Sequence, residues 1–93
     1  MPMIQIIGTE IKRAGVKIGW IESTHIFDHT GKKLAYFSDK EAFSPDGTRI
    51  AYISGDYVIY PKNNTKVKIE DNNRLISGVV SDTCRAAIRL VLG

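Results

Sequence analysis

Apolar and polar positions alternate along this chain in short bursts divided by turn residues, and the bursts repeat. Four segments, 11–21, 27–37, 43–53 and 60–70, align without gaps at their core positions. Each reads apolar, three turn-like residues, Gly or Asn, two mostly polar residues, then aliphatic, small, aromatic, apolar, and the fourth departs from this with Lys68 and Glu70. Gly15, Gly31 and Gly47 are evenly spaced, and Asn64 follows at the same interval plus one. The repeated position requires a left-handed backbone, which Gly adopts freely and Asn tolerates best among the remaining residues. Ser44-Pro45-Asp46-Gly47 suits a type I turn closed by a left-handed glycine, with Pro at its favoured corner. The flanking residues alternate and are rich in β-branched and aromatic types, as strands require. A second set of turns, at Ser23-Thr24, Ser38-Asp39-Lys40, Gly55-Asp56 and Asp71-Asn72-Asn73, joins one hairpin to the next.

The pattern predicts a mainly β fold: four pseudo-repeated β-hairpins with a 16–17-residue period, in an up-and-down meander of short strands. Strict alternation places Ile18/Trp20, Leu34/Tyr36, Ile50/Tyr52 and Val67/Ile69 on one face. Gly19/Ile21, Ala35/Phe37 and Ala51/Ile53 fall on the other, and the small members of that set suggest close approach of backbones around a pseudo-symmetry axis. From residue 81 the character changes. Ser81 or Asp82 can cap a helix over 81–93, and Cys84, Ala87, Ile88 and Val91 fall on one of its faces. So short a helix cannot stand alone in water, so it must pack on the β body or on a partner, where it would serve as an interaction helix. The expected organisation is a single domain, with residues 1–80 as the hairpin body and 81–93 as its helix.

The repeated hairpin, with Gly19-Trp20-Ile21, Phe27-Asp28 and Gly31, Leu34-Ala35-Tyr36-Phe37 and Ile50-Ala51-Tyr52-Ile53, resembles the four-fold beta flower domain over residues 10 to 76. That resemblance implies four hairpins set like petals and carries no activity with it. The stretch from Phe43 to Tyr52 is also similar to the repeat of TolB-type propellers, but 93 residues cannot close a propeller.

The chain has 93 residues and a net charge of +3, which neither demands nor forbids an anionic partner. Cys84 is the only cysteine, so an intrachain disulfide and a Cys₄ or Cys₂His₂ zinc site are excluded. No apolar run approaches the roughly 20 residues of a membrane span, and the first residues do not read as a leader, so a cytoplasmic setting is expected. His25 and His29 fall on one strand face but about 13 Å apart if the strand is extended, too far to share a metal. Cys84 reads as a buried thiol and not as a nucleophile. No metal, cofactor or catalytic residue is assigned, and an enzyme using His25, Asp28 or Cys84 is the least supported reading.

Charge placement offers more. The Gly-containing turns carry Lys12, Arg13, Lys17, Lys32, Lys33, Arg49, Lys62 and Lys66 against only Asp28 and Asp46. The opposite turns carry Glu10, Glu22, Asp39, Glu41, Asp56, Glu70 and Asp71 against Lys40 and Arg74. This predicts a basic pole and an acidic pole. The sequence thus supports a non-catalytic binding or interaction module, self-associating or engaging a protein partner, with an alternative in which the eight basic residues bind nucleic acid or acidic lipid. Trp20, Tyr36 and Tyr52 fall in mid-strand, away from that rim, which counts against base stacking.

Overall fold

The computed structural model describes residues 4–92. Ten strands form one sheet: β1 (Ile4–Ile7), β2 (Glu10–Arg13), β3 (Val16–Glu22), β4 (His25–Asp28), β5 (Lys33–Phe37), β6 (Glu41–Phe43), β7 (Arg49–Ser54), β8 (Tyr57–Tyr60), β9 (Thr65–Lys68) and β10 (Ile76–Ser77). Helix α1 (Ile69–Leu75) lies between β9 and β10, and α2 (Asp82–Val91) is the last element of the described chain. From β1 to β9 each strand pairs antiparallel with the next, and β10 returns to pair in parallel with β1. The meander and the C-terminal helix are as the pattern predicts.

The backbone reversals fall where the sequence puts them. Gly15, Gly31, Gly47 and Asn64 have φ of 80°, 93°, 94° and 54°. In the third turn the N–H of Gly47 donates to the carbonyl of Ser44 at 2.9 Å, closing the four-residue turn. The hairpins are also tied to one another by a bond that recurs at the equivalent place in each unit. The N–H groups of Ile21, Phe37, Ile53 and Ile69 donate to the carbonyls of Thr9, Thr24, Lys40 and Asp56, all at 2.8–2.9 Å.

The second half of the fourth unit departs from expectation. Asp71-Asn72-Asn73 is not a hairpin turn but the middle of α1, and Ile69 begins that helix instead of extending a strand. Local preference favours a turn there. It is overridden because Asn72, only 1 % exposed, is held from two sides by Tyr60 and Arg89.

The inner face of the sheet and α2 share one core. Strands β5, β6 and β7 make the main strand contacts with α2, and their inward residues Ala35, Ala42 and Ala51 are all fully buried. On the helix, Cys84, Ala86, Ala87 and Ile88 are fully buried as well. Small side chains on both partners let helix and sheet approach closely, which is why alanine recurs at this strand position. The alanines thus lie where the sheet meets the helix. Gly19 has a different reason: a Cβ there would lie 2.2 Å from the carbonyl oxygen of Phe27 on the neighbouring strand.

The helix therefore packs on its own chain. Ser81 caps it by accepting from the N–H of Cys84 at 3.1 Å, and the Thr83 hydroxyl donates to the Asp39 carbonyl at 2.8 Å, tying its first turn to the β5–β6 connection. Of the two expected packings the helix thus takes the β body: Cys84, Ala87 and Ile88 are fully buried, and Val91 packs against the same core. Among the described residues no helix is long and apolar enough to cross a membrane.

Candidate functional site: an aromatic and cationic sheet face

The outer face of the sheet is where the basic residues and the rings meet. Three pairing registers break, between Ile11 and Lys12, between Ile26 and Phe27, and between Ala42 and Phe43. In each case the facing strand holds one extra residue, Ile18, Leu34 or Ile50, in a β-bulge. The extra residue shifts the alternation by one. Lys17, Lys33 and Arg49 consequently share a face with Trp20, Tyr36 and Tyr52, three positions further on, which a regular strand would forbid.

The resulting face is ordered in three rows of directly paired residues. Glu10, Trp20, Phe27 and Lys33 form one row across β2–β5. His25, Tyr36, Phe43 and Arg49 form the next across β4–β7. Glu41, Tyr52, Ile59 and Lys66 form the third across β6–β9. Within them Trp20 stacks on Phe27 with centroids 5.4 Å apart, and Tyr36 stacks on Phe43 at 5.1 Å. His25 sits between the two stacks, 6.5 Å from Phe27 and 5.9 Å from Tyr36.

Each of four cations lies over a ring. Lys17 is 5.4 Å from the centroid of Trp20, Lys33 is 5.2 Å from Tyr36, Arg49 is 4.3 Å from Tyr52 and Lys66 is 4.1 Å from Tyr57. Such contacts contribute about 0.5–1 kcal/mol each at exposed sites and hold the charge close to the sheet. Two of the cations also meet a carboxylate: Lys17 lies 3.4 Å from Glu10, and Arg49 lies 3.2 Å from Glu41.

The basic residues singled out by sequence therefore divide. Lys17, Lys33, Arg49 and Lys66 are gathered on the ringed face. Lys12 pairs with Glu10 at 3.7 Å. Arg13 donates to the Leu92 carbonyl at the end of α2. Lys32 and Lys62 are exposed in turns. The two expected poles are not kept apart, since Glu10 and Glu41, assigned to the acidic end, pair with cations of the basic end. The strands are short, so a lysine or arginine reaches back along one to its middle. The rings did not figure as partners of the cations in the sequence. The signal was present, in cation and ring three positions apart at 17/20, 33/36 and 49/52, but it is meaningless until the bulge is known.

Other side chains able to do chemistry have structural surroundings. Arg85 donates to the carbonyls of Ile76, Val80 and Gly78 at 3.1, 3.0 and 2.5 Å and so braces the loop before α2. Burial pushes the Cys84 thiol up to about 12, far from the range of a reactive thiolate. His29 is exposed in the β4–β5 turn, shortly before Gly31. In that turn one Asp28 oxygen accepts from the Thr30 hydroxyl at 2.6 Å and from the N–H groups of Thr30 and Lys32 at 2.9 and 3.0 Å, chiefly the first of which holds its carboxyl below the ordinary range. A hollow beside α1 is lined by Asp56, Glu70 and Asp82, with Lys68 as its one base, and does not suit an anion.

Comparison with protein-family models, with curated proteins and with solved structures found no match.

Proposed function

We propose that this chain is a non-catalytic binding module and that its outer sheet face binds single-stranded nucleic acid. The observation that carries this reading is the placing of Lys17, Lys33, Arg49 and Lys66 each over an aromatic ring of one face. Single strands are bound by a track of cations for the backbone and by rings for the bases. Across the sheet, cations on every second strand are offset by about 10 Å, the width of two strand spacings, and Lys33, Arg49 and Lys66 each stand one row further on than the last. A phosphate that draws an ammonium group off its ring uncovers that ring for a base. Acidic lipid is the weaker reading, because a bilayer favours an apolar wedge beside the cations, and here the rings are already covered by stacking and by charge. The buried face of α2 leaves self-association through that helix without support. The recurrence of bulge, bond and turn from one unit to the next supports the likeness to the four-fold beta flower arrangement, and a cytoplasmic setting belongs to the same reading.

The test uses the emission of Trp20, the only tryptophan. Titration with a single-stranded oligonucleotide is expected to quench it saturably. With four phosphates neutralised, log K should fall with log salt at a slope of about −3. Vesicles rich in phosphatidylserine should leave the emission unchanged. Binding to the vesicles with none to the oligonucleotide, or binding to neither, overturns the reading.

A further inference from the structure

The three rows of the outer face are alike at every position but the first. Their second members are Trp20, Tyr36 and Tyr52, their third Phe27, Phe43 and Ile59, and their fourth Lys33, Arg49 and Lys66. Their first members are Glu10, His25 and Glu41. In the outer two rows the first residue is a carboxylate that pairs with a cation on the adjoining strand: Glu10 with Lys17 of β3, and Glu41 with Arg49 of β7. For His25, the first residue of the middle row, the cation in the corresponding place on the adjoining strand is Lys33 of β5, the last member of the first row. There the carboxylate is replaced by an imidazole, and among the described residues Lys33 has no acidic partner.

Two further observations mark the same place. Nδ1 of His25 is buried and has no hydrogen-bond partner, whereas buried polar groups are nearly always paired. Lys33 and the His25 ring are both neighbours of Tyr36, with Lys33 5.2 Å and the imidazole 5.9 Å from its centroid. The fourth cation, Lys66, also lacks an acidic partner among the described residues, but Tyr57 stands in the matching position and engages it directly at 4.1 Å, on the edge hairpin.

We infer that the His25–Lys33 position is the anion subsite of this face: a phosphate group bound there takes the place that the carboxylate of Glu10 holds beside Lys17 and that of Glu41 holds beside Arg49. The inference deepens the nucleic-acid reading by naming where a backbone phosphate is seated, at one open cation between two that are closed by the protein's own acids. The ligand needs a compact anionic head with several acceptor oxygens, one set for the Lys33 ammonium and one for the imidazole.

The experiment is a titration of the full chain with inorganic phosphate, followed by NMR of the His25 ring and the backbone amides. Saturable shifts are expected at His25, Lys33 and Tyr36 ahead of any at Lys17 or Arg49. His25→Glu restores the acid found in the flanking rows, pairs with Lys33 and should weaken phosphate binding by about tenfold or more, the usual worth of a charge-assisted contact. Lys33→Gln, a mild change at a partly exposed site, should do the same and guards against a His25→Glu chain that does not fold. Absence of a saturable shift, shifts centred on Lys17 or Arg49, or a wild-type affinity in Lys33→Gln overturns the inference. Phosphate binding that depends on Lys33, in a chain that does not bind the oligonucleotide, upholds the subsite and discards the nucleic-acid reading. Oligonucleotide binding that is indifferent to both substitutions does the reverse.

Discussion

Nη1 of Arg89 donates to the side-chain oxygen of Asn72 across 2.6 Å, and the amide of Asn72 donates in turn to the Tyr60 hydroxyl at 3.2 Å. This chain of bonds joins α2 to α1 and α1 to β8, and it is the polar part of an otherwise apolar junction. Burial pushes the Tyr60 hydroxyl above the usual tyrosine range, against the opposing effects of Asn72 and the Arg89 charge. Asn72→Ala leaves a guanidinium and a phenol without their partner. It should cost about 1–3 kcal/mol in chemical denaturation. Arg74→Ala, on the exposed side of the same helix, should change stability by less than about 0.5 kcal/mol.

The turn aspartates make stability fall in acid. Asp46 accepts from the Ser44 hydroxyl, the chief cause of its lowered carboxyl range, and from the N–H of Thr48 at 3.0 Å. Asp28 is lowered in the same way through Thr30. A carboxyl that titrates lower in the folded chain than in the unfolded one stabilises the fold above the unfolded value near 3.8, and that contribution is lost as pH falls through the folded value. Melting temperature followed from about pH 5 to about pH 2 should therefore drop less steeply in an Asp28→Asn, Asp46→Asn double variant than in the wild type. Parallel curves would remove these turns as the cause.

Small side chains fill the junction of β7 and α2. Ala51 is fully buried on a strand that contacts the helix. Ala51→Leu should destabilise by about 1–3 kcal/mol, because the helix must lift or the leucine must leave its rotamer. Thermal unfolding monitored by circular dichroism measures the loss. A leucine in place of the exposed Ser54, at the end of the same strand, should leave the midpoint in place.

Glu41 both positions and neutralises Arg49. On the nucleic-acid reading the carboxylate competes with phosphate for that guanidinium, so Glu41→Gln should raise oligonucleotide affinity by a few-fold, an exposed ion pair being worth about 0.2–1 kcal/mol. Titration of Trp20 emission gives the ratio directly. A weaker complex would mean that Glu41 acts chiefly to aim Arg49.

Much of the architecture can be read from the chain before folding. Gly15, Gly31, Gly47 and Asn64 mark reversals because a positive φ is a local demand, met or refused by the residue itself. Ser81 likewise marks the start of α2 through a bond to a residue only three positions away. The candidate site was legible only in part. Lys17, Lys33, Arg49 and Lys66 stand out as bases, but counting alternation from the turn sends Trp20, Tyr36 and Tyr52 to the face opposite their cations. A bulge is a relation between two strands, and no residue within one strand announces it.

The amino-acid order alone thus determined the reversals, the strands between them and the helical tail, since each depends on the conformational range of neighbouring residues. The tertiary structure decided what those elements face. It turned Asp71-Asn72-Asn73 into a helix by burying Asn72 between Tyr60 and Arg89, enclosed Cys84, Ala87 and Ile88 against the chain's own alanines, and folded the cations back onto the rings. The physical reason is that backbone preference acts over a few residues, whereas burial, register and the pairing of charges act between segments that meet only when the sheet has formed.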